Sequence, residues 1–322
     1  MGITPQHDVS TLSSTAVRLG LPQYLRVVVT RSCPLACGYC HAEGDPGKNG
    51  LGPNTDERTE LVLAAVANGI RKIKLLGGEP LVATEAPKLI AGIKRGAPHV
   101  DLSIITSGVG PPGRLDALFE AGLDRANLSI HGWGKAAFAQ RKGTEKMLAF
   151  RDQSLASLIA RGRPLKLNYV YGGPADLPDL GDLLGWAADR GALVNVLDDL
   201  GKDIGAAGVL HAVRQLRGPE ASLRVSPDPD SLDTLRLTWS DGLEVEVKHL
   251  SLGVLAPWVS CAKCPVRSRC REGIHAVRLT YDGVFRTCMD RPDIGLALVP
   301  ILRREGQGGV AKAMRTWLRE QS

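Results

Sequence analysis

Short apolar runs alternate with longer amphipathic stretches over most of the chain. The runs Leu25–Thr30, Lys72–Leu76, Asp101–Thr106, Ala126–Ile130, Leu165–Val170 and Ala192–Leu197 have the length of buried strands. Between them, Thr55–Asn68, Thr84–Arg95, Gly113–Ala121, Thr144–Ala160 and Asp179–Asp189 repeat their apolar residues with helical spacing. Asp56 and Glu57 favour a helix start, with Thr55 and Arg58 as a partial capping box. Gly69, Gly122, Gly162 and Gly191 each follow a helix, where a left-handed cap is wanted. Strand–helix alternation of this kind predicts parallel βα units. Six such units make an α/β fold, an incomplete (β/α)6 barrel, with its chemistry on loops at the C-terminal ends of the strands.

The alternation stops near residue 203. Ala207–Arg217 reads as a helix, and Leu232–Ser240, Leu243–Lys248, His275–Thr280 and Val284–Thr287 read as strands. Asp241–Gly242 and Asp282–Gly283 are hairpin turns. Ser226–Asp230 reads as an exposed loop and Val310–Arg319 as a terminal helix. The chain thus divides into an N-terminal arm (1–24), a partial barrel (25–203) and a small α+β domain with antiparallel hairpins (204–322).

Composition narrows the possibilities. The 322 residues can bury a large core, and no apolar run reaches membrane-spanning length. Met1–Gly20 lacks the pattern of a secretory signal. The net charge of +6 suits an acidic or phosphorylated ligand or a solvated basic surface. Basic residues are dispersed and aromatics make up 4%, so no surface for stacking nucleic-acid bases is evident. Seven cysteines, split into three near residue 35 and four between 261 and 288, read as metal ligands in a reducing cytoplasm rather than a disulfide framework.

Cys33, Cys37 and Cys40 form a C-x3-C-x2-C loop just after the first predicted strand. Thiolates suit zinc or iron–sulfur clusters. Three on one loop would leave one iron of a [4Fe–4S] cluster open to a small molecule; a zinc knuckle or three unlinked thiols is the alternative. The second strand ends in Gly77–Gly78–Glu79–Pro80, where two glycines allow close backbone approach to a ligand and Glu79 adds an acceptor. Cys261, Cys264, Cys270 and Cys288 offer four soft ligands, enough for structural zinc or a second cluster. Asp198 and Asp199, at the end of the sixth strand, could hold amino or hydroxyl groups, or form an ordinary solvated loop.

The cysteine loop, with Tyr39 before its third cysteine, and the Gly-Gly-Glu-Pro segment resemble the radical S-adenosylmethionine (SAM) superfamily. The resemblance implies that Cys33, Cys37 and Cys40 ligate a SAM-cleaving [4Fe–4S] cluster. Tyr39, Gly77, Gly78, Glu79 and Pro80 would border SAM. Ser129 and Lys166 would hold its ribose and carboxylate, with Thr106 and Asn168 in reserve. C-x2-C-x5-C at Cys261, Cys264 and Cys270 resembles auxiliary-cluster domains of the SPASM and twitch type. This implies a second [4Fe–4S] cluster, with zinc as the alternative, or three ligands and one free thiol. Cys270 is the candidate for a thiol that returns hydrogen to a substrate radical. A reducing partner such as flavodoxin or ferredoxin would supply electrons.

The chain also resembles GTP 3',8-cyclases, through Tyr24–Arg26, Lys72–Lys74, Lys166–Asn168 and Val277–Thr280. By that resemblance Arg26, Lys72, Lys74 and Arg278 would hold phosphates. The chain departs from that family in its final residues, in the spacing of its last cysteines and in Ala276, where the family has Arg. These departures favour a different small polar substrate: a sugar, aminocyclitol, nucleoside or peptide of natural-product or antibiotic biosynthesis, in a reaction such as C–H epimerisation. GTP cyclisation is the alternative, and a non-catalytic metal-bound nucleic-acid scaffold is the alternative of another class.

Overall fold

The computed structural model describes residues 23–45, 47, 52–202, 204–226, 234–248, 259–265 and 276–321. Most of the expected N-terminal arm, the turn after Ser226 and Cys270 lie outside the described residues.

The expected alternation forms. In order come β1 (Tyr24–Thr30), α1 (Thr55–Val66), β2 (Lys72–Gly77), α2 (Ala86–Gly96), β3 (Asp101–Thr106), α3 (Arg114–Glu120) and β4 (Arg125–Ile130). They are followed by α4 (Lys135–Ala139), α5 (Glu145–Ala160), β5 (Lys166–Tyr171), α6 (Leu177–Ala188) and β6 (Leu193–Asp198). β1 to β6 are parallel and adjacent in chain order. Gly69, Gly122, Gly162 and Gly191 all take positive φ after their helices. The α1 cap is corrected: Asn54, not Thr55, is the N-cap, in a reciprocal box with Glu57.

Downstream lie α7 (Gly205–Arg217), β7 (Ser222–Ser226), β8 (Thr234–Thr238), β9 (Glu244–Lys248), α8 (Val259–Ala262), β10 (Val277–Leu279), β11 (Val284–Arg286), β12 (Leu296–Ala297) and α9 (Val299–Gln321). The sequence pattern does not announce α4, β7 or β12. Ser226 ends β7 rather than opening a loop. The last helix starts well before Val310: Pro300 sits in its first turn, where a missing N–H is harmless, and Gly306 at φ 65° joins its two segments. β8 and β9 form one antiparallel hairpin and β10 and β11 another.

These hairpins extend both edges of the same sheet. β10 runs parallel to β1, and β9 runs parallel to β6. Lys248 on β9 nevertheless feels the charges of Arg26 and Lys74 on β1 and β2. In a flat sheet of about 4.8 Å spacing, the six ladder steps from β1 to β9 would separate them by roughly 29 Å. The sheet therefore curls, and its inner faces meet.

The two faces differ in character. The outward residues Leu25, Val27, Ile73, Leu75, Leu102, Ile104, Leu167, Val194, Val196, Val245 and Val247 belong to one continuous core against the helices. The inward positions, set by the two-residue period of a strand, include Arg26, Lys74, Lys166, Asn168, Asn195, Glu246 and Lys248. Of the inward apolar residues, Val28 and Leu76 are buried while Ile105, Val170, Leu193 and Leu197 are half-buried, and all of them stand outside that core. The interior is thus polar and not packed shut by side chains, unlike that of a closed barrel.

Candidate active site

Three loops meet at the C-terminal rim. The cysteine loop leaves β1 and is held by backbone bonds from Gly78 N to Thr30 O (2.7 Å) and from Glu79 N to Ser32 O (2.8 Å). A Cβ on Gly78 would lie 2.1 Å from Ser32 O, and one on Gly77, at φ 136°, would lie 2.3 Å from Thr30 O. The two glycines are therefore required by close approach to the protein's own cysteine loop.

Glu79 is likewise committed. Its buried carboxylate accepts from Ser107 N (2.7 Å), Ser107 Oγ (2.5 Å), Thr106 Oγ1 (2.5 Å) and Leu81 N (2.9 Å). Burial raises its pKa, and these bonds hold the rise in check. Glu79 ties the end of β3 to the cysteine loop rather than standing free as an acceptor, and Thr106 is part of that tie. Pro80 opens the short turn that follows.

The far side of the cysteine loop reaches β4. Tyr39 Oη is 2.6 Å from His131 Nδ1, the two rings stack, and Ala36 N donates to Arg141 O (3.1 Å). Burial, with Arg141 adding to it, pushes His131 down to about 4, so its ring is neutral near pH 7. His131 is a contact that its sequence position, at the end of the fourth strand, could have suggested. Cys33 and Cys40 are exposed and Cys37 is half-buried. Burial raises the Cys33 and Cys37 thiols, Cys37 to about 11, and each also feels Cys40. The three thiols lie near enough to feel one another's charge, but among the described residues no three His, Cys, Asp or Glu side chains are drawn together closely enough to hold a metal ion.

Beyond the third cysteine the chain turns sharply, with Ala42, Glu43 and Gly44 all at positive φ. This turn is clamped to the C-terminal strands. Arg26 on β1 grips Glu43 in a two-pronged ion pair, Arg286 Nη1 donates to Gly44 O (2.9 Å), and Tyr281 N donates to Asp45 (2.8 Å). Arg58 donates to Val28 O (2.9 Å) and Tyr281 O (2.8 Å).

Arg286, Arg278, Arg26 and Lys74 stand side by side in register across β11, β10, β1 and β2. Lys166, at the N-terminal start of β5, and Lys248 face them. Lys166 is roughly 16 Å from the C-terminal end of its own strand at ~3.3 Å per residue. It therefore joins the cationic group and pairs with Glu246 rather than lying at the rim. Burial, aided by neighbouring cations, lowers Lys74 to about 7, Lys248 to about 8 and Arg278 to about 10. Lys72 lies at the foot of this group, 5.5 Å from the Tyr24 ring centroid. Lys248 was not singled out from sequence, although Glu244–Lys248 alternates charged and apolar residues.

Ser129 and Asn168 are inward neighbours in register. Asp199 closes its own turn, accepting from Gly201 N (2.9 Å), while Asp198 ends β6. In the second cysteine group, Cys264 N donates to Cys261 O (3.2 Å), Arg291 lies close enough to feel Cys264, and burial raises the Cys288 thiol, which feels Arg278.

Residues 27–187 match the model of the radical SAM superfamily. The chain belongs to that superfamily. It is 34% identical over 281 residues to GTP 3',8-cyclase 2 of Mycobacterium tuberculosis (strain ATCC 25618 / H37Rv), covering 82% of this chain and 74% of the relative. GTP 3',8-cyclase of Mycobacterium marinum is 32% identical over the same shares. Among solved structures, Streptococcus suis SuiB bound to S-adenosylmethionine superposes with a TM-score of 0.54 at 12% identity, over 86% of this chain and 61% of SuiB. SuiB bound to its precursor peptide SuiA gives 0.57 at 14% identity, over 90% and 66%. The chain thus spans under two thirds of SuiB's length, and that likeness concerns the fold. The radical SAM chain is an enzyme, and the family implies SAM and a [4Fe–4S] cluster. The rim loop carries three free thiols, the donor type that such a cluster takes, on one short loop. Among the described residues, no helix is long and apolar enough to cross a membrane.

Proposed function

We propose that this radical SAM enzyme acts on a purine nucleoside triphosphate, in a cyclisation of the GTP 3',8-cyclase type. The observation that carries this reading is the inward cationic group of Arg278, Arg26, Lys74, Lys166 and Lys248. Half-buried lysines whose strongest charged neighbours are other cations are unfavourable in an empty interior and favourable around a polyphosphate. Lys248 also answers the departure at Ala276, because it adds a cation from the opposite wall. The relatives named as GTP 3',8-cyclases support the same choice.

Cys33, Cys37 and Cys40 would hold the cluster at the rim. When bound, the cluster and SAM supply a 5'-deoxyadenosyl radical. The Gly77–Pro80 turn, Thr106, Ser129 and Asn168 would shape the space for SAM between that loop and the interior, while Glu79 and Tyr39 fix the loop. The cationic group anchors the phosphates below, so that the sugar points at the rim. Cys261, Cys264, Cys270 and Cys288 would hold an auxiliary cluster beside Arg278, and an external protein such as flavodoxin or ferredoxin would deliver electrons.

The test is release of 5'-deoxyadenosine by the reconstituted, reduced protein with and without GTP. Strong stimulation with a GTP-derived product is expected. SAM cleavage that GTP does not stimulate would turn the search to sugars, aminocyclitols and peptides, run in deuterated water to expose hydrogen return by a thiol.

A further inference from the structure

We propose that Asn195 reads a sugar hydroxyl of the substrate, its side-chain oxygen accepting the hydrogen bond. The proposal rests on the nucleotide reading above. Val194 and Val196 are fully buried in the outer core, so Asn195 between them points inward. It is 4% exposed. Its Nδ2 donates to Asn168 Oδ1 (3.0 Å), whereas its Oδ1 is buried with no hydrogen-bond partner. Buried polar atoms in folded proteins are nearly always paired, so an orphan on the inward face marks a place where a ligand donor belongs. Val170, Leu193 and Leu197 around it are half-buried and stand outside the core, so no apolar packing closes over this inward face.

Asn168 and Glu246 beside it are already engaged. Ser129, Asn168, Asn195 and Glu246 form one row across β4, β5, β6 and β9. Glu246 is taken by Lys166 and Arg236. Asn195 Oδ1 is the buried acceptor of this row that lacks a partner. Its level is one inward position above Lys166, roughly 6.6 Å along the strand toward the rim. In a nucleoside phosphate the sugar follows the phosphate, and its hydroxyls are donors. A ligand held at Lys166 therefore brings a hydroxyl to Asn195 and turns its sugar C–H bonds toward the cysteine loop.

The experiment is equilibrium binding of GTP, 2'-deoxy-GTP, 3'-deoxy-GTP and tripolyphosphate to the full chain. Wild type is expected to bind one deoxy analogue about tenfold more weakly than GTP. Asn195→Ala should bind GTP about tenfold more weakly, lose that discrimination and keep tripolyphosphate affinity, which also shows that it folds. Asn195→Asp retains an acceptor and should retain discrimination, and it carries the test if the alanine variant does not fold. Equal binding of all three nucleotides by wild type, or discrimination surviving in Asn195→Ala, overturns the assignment while leaving the nucleotide reading intact. Failure of both GTP and tripolyphosphate to bind overturns the nucleotide reading and this assignment with it.

Discussion

Lys248 on β9 faces Lys74 on β2 across the open interior and feels it as a nearby positive charge. Burial is the larger cause of the depressed pKa of each. Both therefore hold their protons less tightly in the folded chain than in the unfolded one, and the sign of the pH dependence follows. Below about pH 7 both are charged and the ligand-free fold carries the full penalty. The penalty shrinks as pH rises from the folded values toward the ordinary 10.5, so ligand-free stability should rise across that window.

An anion reverses this balance, because it favours the charged lysines. Tripolyphosphate binding at pH 8 should take up protons, visible by calorimetry in two buffers of different ionisation heat. Affinity should fall between pH 7 and 9, by up to about tenfold per pH unit for each lysine above its pKa. Lys248→Met should weaken binding and remove its share of the uptake. Binding without proton uptake would show that the anion sits elsewhere.

Glu43 has the opposite sign. Burial alone would raise its carboxyl, but Arg26 and then His41 outweigh burial and bring it down to about 2. Stability from the Arg26 pair is present above the ordinary value of 4.5 and is lost as pH falls through 2. A shift of this size is worth on the order of 3 kcal/mol. Glu43→Gln should cost about that much in urea unfolding at pH 7, with the difference from wild type closing toward pH 2. A constant difference across that range would mean that the ion pair is not what the substitution removes.

Gly78 tests whether the Gly-Gly-Glu-Pro turn holds the cysteine loop. A Cβ there meets the backbone oxygen of Ser32, which cannot move aside as a side-chain tip could. Gly78→Ala should cost roughly 1–3 kcal/mol from overpacking. It should also lower iron incorporation at the rim loop, read by iron content and visible absorbance after reconstitution. Normal iron loading in a stable Gly78→Ala protein would detach the turn from the cysteine loop.

The partial barrel was legible because its outer strand faces are nearly continuous Val, Ile and Leu, and because glycines punctuate the helix ends. The rim was legible from Cys33–Cys40 and Gly77–Pro80. The inner face was harder to read. Asn195 and Glu246 look like ordinary polar residues in apolar strands until the sheet curls and brings β9 opposite β1. Lys166 sits in a readable segment, but its level along β5 decides its company, and only register supplies that. Local motif reading gave Gly77, Gly78 and Glu79 a place beside a ligand, but not their second task in the fold, which is to hold the cysteine loop.

The two cysteine groups should be separable by metal content. Cys33, Cys37 and Cys40 lie on the rim loop bonded to the ends of β1 and β2, whereas Cys288 follows β11 beside Arg278 and Cys264 lies near Arg291. No thiol is shared between these settings, so removing one set leaves the donors of the other in place. With an auxiliary cluster, the reconstituted wild type should hold about eight irons per chain, and joint Cys→Ala replacement of either set should leave about four. Only replacement of Cys33, Cys37 and Cys40 should abolish 5'-deoxyadenosine formation outright. About four irons and one zinc in wild type would assign the second group to structural zinc instead. Retention of SAM cleavage after loss of Cys37 would remove the rim loop from its assigned role.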